Sequence, residues 1–261
     1  MLVSIRHYLN PMIYIIGGPG KTGSSAISQA LAQELNIPRL YGGGYMRKEA
    51  IKAGYVNHDY TLPSDEAQWD LDQANVPGFR TFCEQSHRDI DWEMELYLMQ
   101  GMVDSLVNGH DVIIESKTMG RFLHAPKFGE FLNQINVKSF ADPAQFIDPQ
   151  ALIDHSRAVW LHSDLAVRAQ RLISKKNNGK QGPEGSPISI NAEELHREMD
   201  KLAERQLIDR ADYASKYGMD DYPLATEMPG NNLFGTIIDS SKQSEEQTYL
   251  KVKEALGLIS E

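Results

Sequence analysis

Short apolar runs alternate along the chain with longer segments in which apolar residues recur every three or four positions. The runs at 13–16, 111–115, 158–162 and 236–238 predict buried strands. The longer segments, of which residues 90–106 are the clearest, predict helices. Strands that alternate with helices are typical of an α/β fold whose mostly parallel sheet is covered by helices on both faces.

Capping residues indicate where several of these helices begin and end. Gly109 and Gly218 each follow a helical segment and predict its C-terminus. Asn191 and Ser244 each precede one, and Gln247 completes a capping box with Ser244. The sequence therefore predicts helix boundaries as well as helices.

The 261 residues fit one α/β domain with insertions. Residues 1–11 are interpreted as an N-terminal extension and residues 12–261 as the domain. The stretches 57–82 and 122–156 lack a clear period and are rich in polar residues or prolines. We expect loops and short helices in the first and an irregular insertion over the sheet edge in the second. The polar loop at 175–189 is a candidate mobile element.

Charge and composition narrow the possible partners. The formal net charge is -10, which disfavours non-specific binding to nucleic acid or to an anionic membrane, so neither partner is expected. Cys83 is the single cysteine, which excludes an internal disulfide and fits a reducing compartment. No apolar run approaches the roughly 18 residues of a membrane span, and no secretory signal is recognisable. A cytoplasmic location is the resulting expectation.

A glycine-rich turn follows the first predicted strand. Gly18 and Gly23 have the spacing of the phosphate-binding pattern G-x-x-x-x-G-K-[ST], and Ser25 stands where its hydroxyl would hold Mg²⁺. Such a turn at a helix N-terminus offers unpaired N–H donors and a favourable dipole to phosphate. ATP and Mg²⁺ are therefore the predicted cofactors. The predicted phosphate-binding residues are Gly18, Gly20, Lys21, Thr22, Gly23, Ser24 and Ser25, with Ser25 at the metal.

The turn departs from the pattern at its lysine. Ser24 occupies the lysine position, and Lys21 lies three residues earlier. Starting the pattern at Gly17 instead places Thr22 and Gly23 at the second glycine and the lysine, which is a poorer fit. Lys21 can either reach a β- or γ-phosphate with its flexible stem or face solvent. The turn itself can alternatively serve only to pack a strand against a helix.

Several landmarks of the chain, in order, resemble those of the cytidylate kinases, which are nucleoside monophosphate kinases with a phosphate-binding loop. The helix at 27–35 is similar to the helix after the family's loop and favours the register with Ser24 at the lysine position. The other similar segments are the acceptor turn at 41–47, Ile90-Asp91, the strand and turn at 112–117, the lid-entry helix at 164–172, the arginine-bearing segment at 204–220 and the last strand at 237–241. The segments 57–82 and 122–156 have no counterpart.

The resemblance implies a three-layer P-loop fold with an acceptor-side region at about 41–110 and a lid region at about 168–210. It also implies ATP-dependent phosphoryl transfer to a nucleoside monophosphate, with CMP or dCMP favoured. The implied acceptor-binding residues are Arg47, Asp91 and Lys117. The implied catalytic residues are Lys21, Arg168, Arg171, Arg205 and Arg210. Arginines suit this chemistry because their planar forks bind phosphate oxygens in pairs.

Other interpretations of the same residues remain open. The chain can be a catalytically impaired nucleotide-binding or regulatory protein on a kinase scaffold, or a P-loop kinase for another small acceptor. Each arginine can lie on a solvated helix face with an i,i+4 partner, as Arg205 can with Asp209. Arg205 and Arg210 lie about 140° apart on a regular helix, so only long side chains or a helix break near Gln206 would join them. Glu115 can orient Mg²⁺ through water or be a structural carboxylate.

Overall fold

The computed structural model describes residues 11–54, 82, 89–176, 190–219 and 235–259. Five strands in these ranges form one sheet, ordered β2-β3-β1-β4-β5, and every pairing is parallel. They are β1 (Ile13–Gly17), β2 (Arg39–Tyr41), β3 (Val112–Glu115), β4 (Ser156–His162) and β5 (Thr236–Asp239). The predicted parallel α/β sheet is thereby confirmed.

The helices that connect the strands follow the alternation in the sequence. They are α1 (Ser24–Leu35), α2 (Gly42–Lys52), α3 (Ile90–Asn108), α4 (Met119–Phe122), α5 (Phe128–Ser139), α6 (Pro149–Asp154), α7 (Leu165–Lys176), α8 (Ala192–Tyr217) and α9 (Glu245–Ala255). Within the described ranges, none combines the length and apolar character that crossing a bilayer requires.

Both faces of the sheet are buried, and β1 shows how. Ile13 and Ile15 belong to the larger core with residues of α3, α5 and α8, whereas Tyr14 and Ile16 belong to a second core with residues of α1 and α9. Successive side chains of a strand point to opposite faces, so a strand with helices on both sides must be apolar throughout. The three-layer architecture thus follows from the continuous apolar runs.

The predicted helix boundaries are confirmed. Gly109 and Gly218 cap α3 and α8 in the left-handed conformation, with φ of 67° and 71°. The Asn191 side chain accepts a hydrogen bond from the Glu193 N–H at the start of α8. Ser244 and Gln247 form the capping box of α9. These side-chain and glycine caps satisfy backbone groups that a helix end leaves unpaired.

The prediction of an irregular segment at 122–156 was wrong. The segment holds α5 and α6, and α5 buries Phe128, Phe131, Leu132 and Ile135 at helical spacing. Pro149 opens α6 rather than interrupting it, because proline lacks the N–H that the first helical turn leaves unpaired in any case. Residues 1–10, most of 57–82 and 177–189, to which other predictions referred, lie outside the described residues.

The parallel topology places the carboxyl ends of all five strands at one edge of the sheet. The glycine-rich turn follows β1 there, and Glu115, Ser240 and the start of α2 lie at the ends of β3, β5 and β2. Ligands of open α/β sheets bind at this edge. This edge is therefore the candidate location of a ligand site.

Candidate active site

The turn after β1, hereafter the phosphate loop (residues 18–23), has a backbone that departs from ordinary helix or strand conformations. Gly18, Lys21 and Gly23 have φ of 148°, 74° and 100°. A Cβ at Gly18 would lie 2.5 Å from the Leu161 carbonyl oxygen, so the loop's closest approach to β4 requires glycine. The buried Thr22 hydroxyl donates to the Pro19 carbonyl oxygen at 2.9 Å and closes the loop on itself.

Two arginines of α7 hold the carbonyl groups of the phosphate loop. Arg168 Nε donates to the Gly20 oxygen at 2.9 Å. Arg171 Nη1 donates to the Lys21 and Thr22 oxygens at 3.2 and 3.3 Å. The family resemblance implied that these two arginines are catalytic residues of the lid region; in the structure, both contact the loop backbone. Three successive loop carbonyls therefore point towards α7.

The β5 end of the sheet supplies a second anchor for the same loop. Arg171 Nη2 donates to the Ser240 carbonyl oxygen at 2.9 Å. The Ser240 hydroxyl lies 3.1 Å from the Thr22 oxygen and 2.9 Å from the His162 oxygen, to either of which it can donate. Sequence reasoning missed Ser240, because a serine after the last strand carries no local signal of this contact. The loop is thus fixed from two sides.

Fixing the carbonyls also orients the donors. In a planar trans peptide unit, the C=O group and the N–H of the next residue point in opposite directions. With the carbonyls of residues 20–22 directed to α7 and β5, the N–H groups of Lys21, Thr22 and Gly23 point away from those elements. Successive N–H groups on one side of such a loop, at the N-terminus of α1, form an anion-binding concavity.

Ser25, on the first turn of α1, is hydrogen-bonded to the end of β3. Its hydroxyl donates to Glu115 Oε1 at 2.5 Å. Ser28, one turn later, donates to Glu115 Oε2 at 2.8 Å, and Arg39 of β2 forms an ion pair with the same oxygen at 2.5 Å. The sequence indicated Ser25 and considered Glu115. It gave no signal for Arg39, whose partner is 76 residues away.

The residues at this point fit Mg²⁺. Magnesium prefers hard oxygen ligands and keeps several waters when it is bound with phosphates. Ser25 Oγ and Glu115 Oε1 are two such oxygens, held together beside the phosphate loop. Ser25 uses its own proton in the bond to Glu115, so its lone pairs stay available to a cation. Ser25 would hold the ion directly and Glu115 through water.

A second charged cluster links the turn after β3 to α8. Buried Asp209 accepts hydrogen bonds from Lys117 Nζ at 3.2 Å and from Arg205 Nε at 2.8 Å. The Lys117 and Arg205 side chains are 40% and 65% exposed, whereas that of Asp209 is 8% exposed. The two cations thus keep exposed donors while the carboxylate fixes their positions.

The structure does not bring Arg205 and Arg210 together. Helix α8 continues without a break from Ala192 to Tyr217, so no interruption occurs near Gln206. Arg205 turns to Asp209, whereas Gln206 accepts a hydrogen bond from Arg168 at 3.1 Å and lies on the side that packs against α7. Arg210 is half-buried and follows Gln206 by about one turn.

The remaining acceptor-side candidates lie on α2 and α3. Asp91 is paired with Lys216 of α8 at 3.0 Å. Half-buried Arg47 lies against the turn that opens α2, where its Nη1 would be 3.2 Å from a Cβ at Gly43. Whether these residues bind an acceptor stays a prediction. No cluster of three or more metal-binding histidine, cysteine, aspartate or glutamate side chains occurs among the described residues.

Sequence reasoning also missed a buried acid beneath the turn after β3. Glu95 of α3 has no exposed surface and accepts a hydrogen bond from the Thr118 hydroxyl. Its pKa is raised to about 8: burial is the main cause, the Thr118 hydrogen bond opposes the rise, and the charge of Asp91 adds to it. The sequence did contain one signal for this buried acid: Glu95 lies among apolar residues on the buried face of α3.

Comparisons with known proteins give no family for this chain. It matches no protein-family model and no curated protein. Among solved structures it is similar to shikimate kinase from Bacteroides thetaiotaomicron (12% identity, 95% of this chain, 97% of that chain, TM-score 0.44). It is also similar to shikimate kinase from Acinetobacter baumannii (14%, 97%, 94%, 0.42) and a gluconokinase from Sinorhizobium meliloti 1021 (13%, 95%, 90%, 0.38). These values are too low to assign an activity.

Proposed function

We propose that the protein transfers a phosphoryl group from ATP to a small acceptor. The observation that carries the proposal is the phosphate loop: its carbonyls are held by Arg168, Arg171 and Ser240, which directs three successive N–H groups the other way. A rigid set of N–H donors at a helix N-terminus stabilises phosphate without reorganising. Ser25 lies at the same helix start and is hydrogen-bonded to Glu115 at the end of β3.

Phosphoryl transfer requires positioning and positive charge more than covalent chemistry. Mg²⁺, if held by Ser25 directly and by Glu115 through water, would supply part of that charge at the nucleotide's phosphates. Lys21 on the loop and the exposed guanidinium of Arg205 supply the rest from this chain. Arg168 and Arg171 act on the nucleotide through the loop that they fix, which makes them positioning residues in the proposed reaction.

We place the acceptor near α2, α3 and α8, the elements that carry or adjoin the acceptor-side candidates. Arg47 lies on α2, Asp91 on α3, and Lys117 in the turn after β3, where its Nζ pairs with Asp209 of α8. The exposed part of Lys117 suits an anionic group on the acceptor. We propose a nucleoside monophosphate, with CMP and dCMP first because of the resemblance to the cytidylate kinases. A different small acceptor is the second possibility, since a fold does not fix a substrate.

Two features favour a second function, nucleotide binding without turnover. Ser24 stands at the usual lysine position, and Lys21 is held in a left-handed conformation that side chains rarely adopt. The ammonium group of Lys21 therefore starts from a backbone position three residues before the one that the lysine of the usual pattern occupies. A protein with a fixed phosphate loop and a displaced lysine can bind nucleotide and not transfer phosphate.

A coupled ADP-release assay with ATP, Mg²⁺ and a panel of acceptors tests the proposal. The panel contains each nucleoside monophosphate and small hydroxyl acids. ADP formation that depends on CMP or dCMP supports the finer proposal, and formation with another acceptor supports the coarser one. Saturable ATP binding in a titration, with no turnover on the whole panel, supports the binding function. Absence of ATP binding contradicts both.

Lys21→Gly is expected to separate the role of the amine from the strain of the loop. Glycine adopts φ of 74° without the cost of about 1 kcal/mol that an L side chain pays, so the free energy of unfolding should stay the same or rise. Loss of the ammonium should lower kcat/KM for ATP at least about tenfold. Thermal unfolding and steady-state kinetics measure the two effects. Lys242→Gly, at an exposed turn, is the matched control.

Undiminished turnover of Lys21→Gly would show that the amine is dispensable and that the arginines provide the charge. A loss of turnover accompanied by a lower unfolding temperature would contradict the assignment of strain to Lys21. The two readouts therefore answer different questions about one residue.

Arg205→Met is expected to lower kcat at least about tenfold with a smaller change in the KM for ATP, because its exposed guanidinium is proposed to meet charge that develops in the transition state. Arg197→Met is the matched control, since Arg197 is exposed on the same helix about two turns earlier. Single-turnover kinetics measures both variants. Equal effects of the two substitutions would contradict the role of Arg205.

A further inference from the structure

We propose that Arg39 is a positioning residue that neutralises Glu115, so that the site takes up a divalent cation only together with the nucleotide's phosphates. The inference rests on the proposed function of the phosphate loop and concerns a residue of β2 that has no part in the loop itself. It assigns to Arg39 the control of metal affinity.

The contacts of Glu115 divide between its two oxygens. Oε2 receives Arg39 Nη2 at 2.5 Å, Arg39 Nε at 3.2 Å and Ser28 Oγ at 2.8 Å. Oε1 receives Ser25 Oγ at 2.5 Å. Arg39 and Ser28 therefore occupy Oε2, and the oxygen that faces the Mg²⁺ position is Oε1.

The Arg39 side chain is held in place by more than the ion pair. Its guanidinium carbon lies 4.4 Å from the centre of the Tyr41 ring, and its Nε donates to Ser28 Oγ at 2.9 Å. Tyr41 is paired with Glu115 across β2 and β3. The register of the two strands therefore fixes the backbone positions of Arg39 and Glu115 relative to each other. The side chains of Arg39 and Glu115 are 8% and 12% exposed. The contact is part of the folded core.

The charge balance follows from this pair. Glu115 brings one negative charge to the metal position, and Arg39 cancels it at contact distance. The part of the chain that the structure describes offers no cluster of three metal-binding side chains in compensation. A hard divalent cation needs several oxygen ligands and negative charge to leave water. The phosphates of ATP provide both, and the protein alone does not.

Arg39 also defines what Glu115 does at the site. With Oε2 occupied, the carboxylate cannot rotate to bind a cation through both oxygens. It remains an acceptor for Ser25, whose lone pairs then face the ion that arrives with the nucleotide. The arrangement prevents a bare cation from occupying the loop before ATP binds.

Titration of the full-length protein with Mn²⁺ alone, followed by the paramagnetic resonance of free Mn²⁺, tests the proposal. The wild type is expected to show no saturable binding below about 1 mM, the affinity range of weak carboxylate sites. Arg39→Gln is expected to bind Mn²⁺ at least about tenfold more tightly, because a positive charge next to the ligand is gone. Arg39→Lys keeps the positive charge and is expected to have the same Mn²⁺ affinity as the wild type.

Three outcomes overturn the proposal: saturable Mn²⁺ binding by the wild type below this limit, equal affinities of the wild type and Arg39→Gln, or tighter binding by Arg39→Lys. If Arg39→Gln fails to fold, saturable Mn²⁺ binding by the wild type still overturns the proposal. The double variant Arg39→Gln/Glu115→Gln then replaces the single variant, because it does not leave an unpaired buried charge. That double variant should fold and show no gain in Mn²⁺ affinity.

A final arm separates this proposal from the proposed function. Mn²⁺ binding is repeated with saturating ATP, where the wild type should take up one ion per protein-bound nucleotide. If ATP does not bind to the protein, the phosphoryl-transfer proposal fails. The comparison of wild type and Arg39→Gln with Mn²⁺ alone then still reports on Arg39 and Glu115.

Discussion

Arg171→Met is expected to lower the free energy of unfolding by about 3 kcal/mol and to weaken ATP binding by about a hundredfold. The guanidinium extends from α7 and donates to three other parts of the fold: the phosphate loop, Ser163 after β4 and Ser240 after β5. Each lost hydrogen bond costs about 1 kcal/mol, and buried acceptors left without a donor cost more. The loop carbonyls at Lys21 and Thr22 are among those acceptors.

The loss of ATP affinity has a separate cause. Without Arg171, the peptide units after Lys21 and Thr22 are free to rotate, and the N–H groups of the loop no longer converge on one phosphate position. Binding must then include the free energy of ordering the loop, about 1–2 kcal/mol for each residue fixed. Two residues therefore suffice for the expected hundredfold effect.

Urea denaturation and a titration with a fluorescent ATP analogue measure the two effects of Arg171→Met. Arg157→Met is the matched control, because Arg157 is exposed on β4 and donates to the carbonyl of its neighbour Ser156 at 3.1 Å. It should change neither quantity by more than about 0.5 kcal/mol. A variant at Arg171 that is destabilised and still binds the analogue normally would show that the loop keeps its shape unaided.

The sheet, the phosphate loop and the helix caps were predictable because each depends on residues close together in the chain. The apolar run of β1, the glycine spacing after it and the period of α1 lie within about 25 residues, and they follow from local rules. The capping box of Ser244 and Gln247 is equally local. Because these local signals agree with one another, the fold class could be predicted from the sequence.

The segment 122–156 carries two opposed signals: its prolines indicate irregular structure, and its apolar spacing indicates helices. Phe128, Phe131, Leu132 and Ile135 have the period of a buried helix, and they complete the core under α3. Pro149 lies at a helix start, where it is compatible with the helix. The sequence contained both signals, and only the tertiary packing decides between them.

Most contacts that define the candidate site join distant parts of the chain. Arg168 and Gly20 are 148 residues apart, and Lys117 and Asp209 are 92 apart. The pair of Arg205 and Asp209, anticipated as an alternative, is present, but its meaning changes because Lys117 shares the carboxylate. Residue spacing cannot reveal such a third partner, so the roles of these residues had to come from the structure.

Glu95 predicts an unusual dependence of stability on pH. Its pKa in the folded protein is about 8, against an ordinary value of 4.5, and Asp91 on its own helix adds to the effect of burial. Tyr217 of α8, whose pKa burial also raises, and the Thr118 hydroxyl are its other polar surroundings. Because the folded state holds the proton more tightly, the contribution of Glu95 is fully present below pH 4.5 and is lost as the pH rises through 8.

Glu95→Gln is therefore expected to equal the wild type near pH 5 and to be more stable at pH 8.5. The amide resembles the protonated acid in shape and cannot ionise, so it avoids burying a charge. A pKa difference of about 3.5 corresponds to at most about 5 kcal/mol, and we expect a gain of about 3 kcal/mol at pH 8.5. Urea denaturation of both proteins between pH 5 and 9 measures it.

The difference between the two proteins isolates Glu95, because every other titrating group is common to both. Glu130→Gln on α5, where the carboxylate is exposed, is the control and should parallel the wild type throughout. Parallel curves for wild type and Glu95→Gln would mean that Glu95 is ionised or protonated alike in the folded and unfolded chains. A rising difference between pH 5 and 8 would instead establish that a neutral acid lies beneath the turn that carries Lys117.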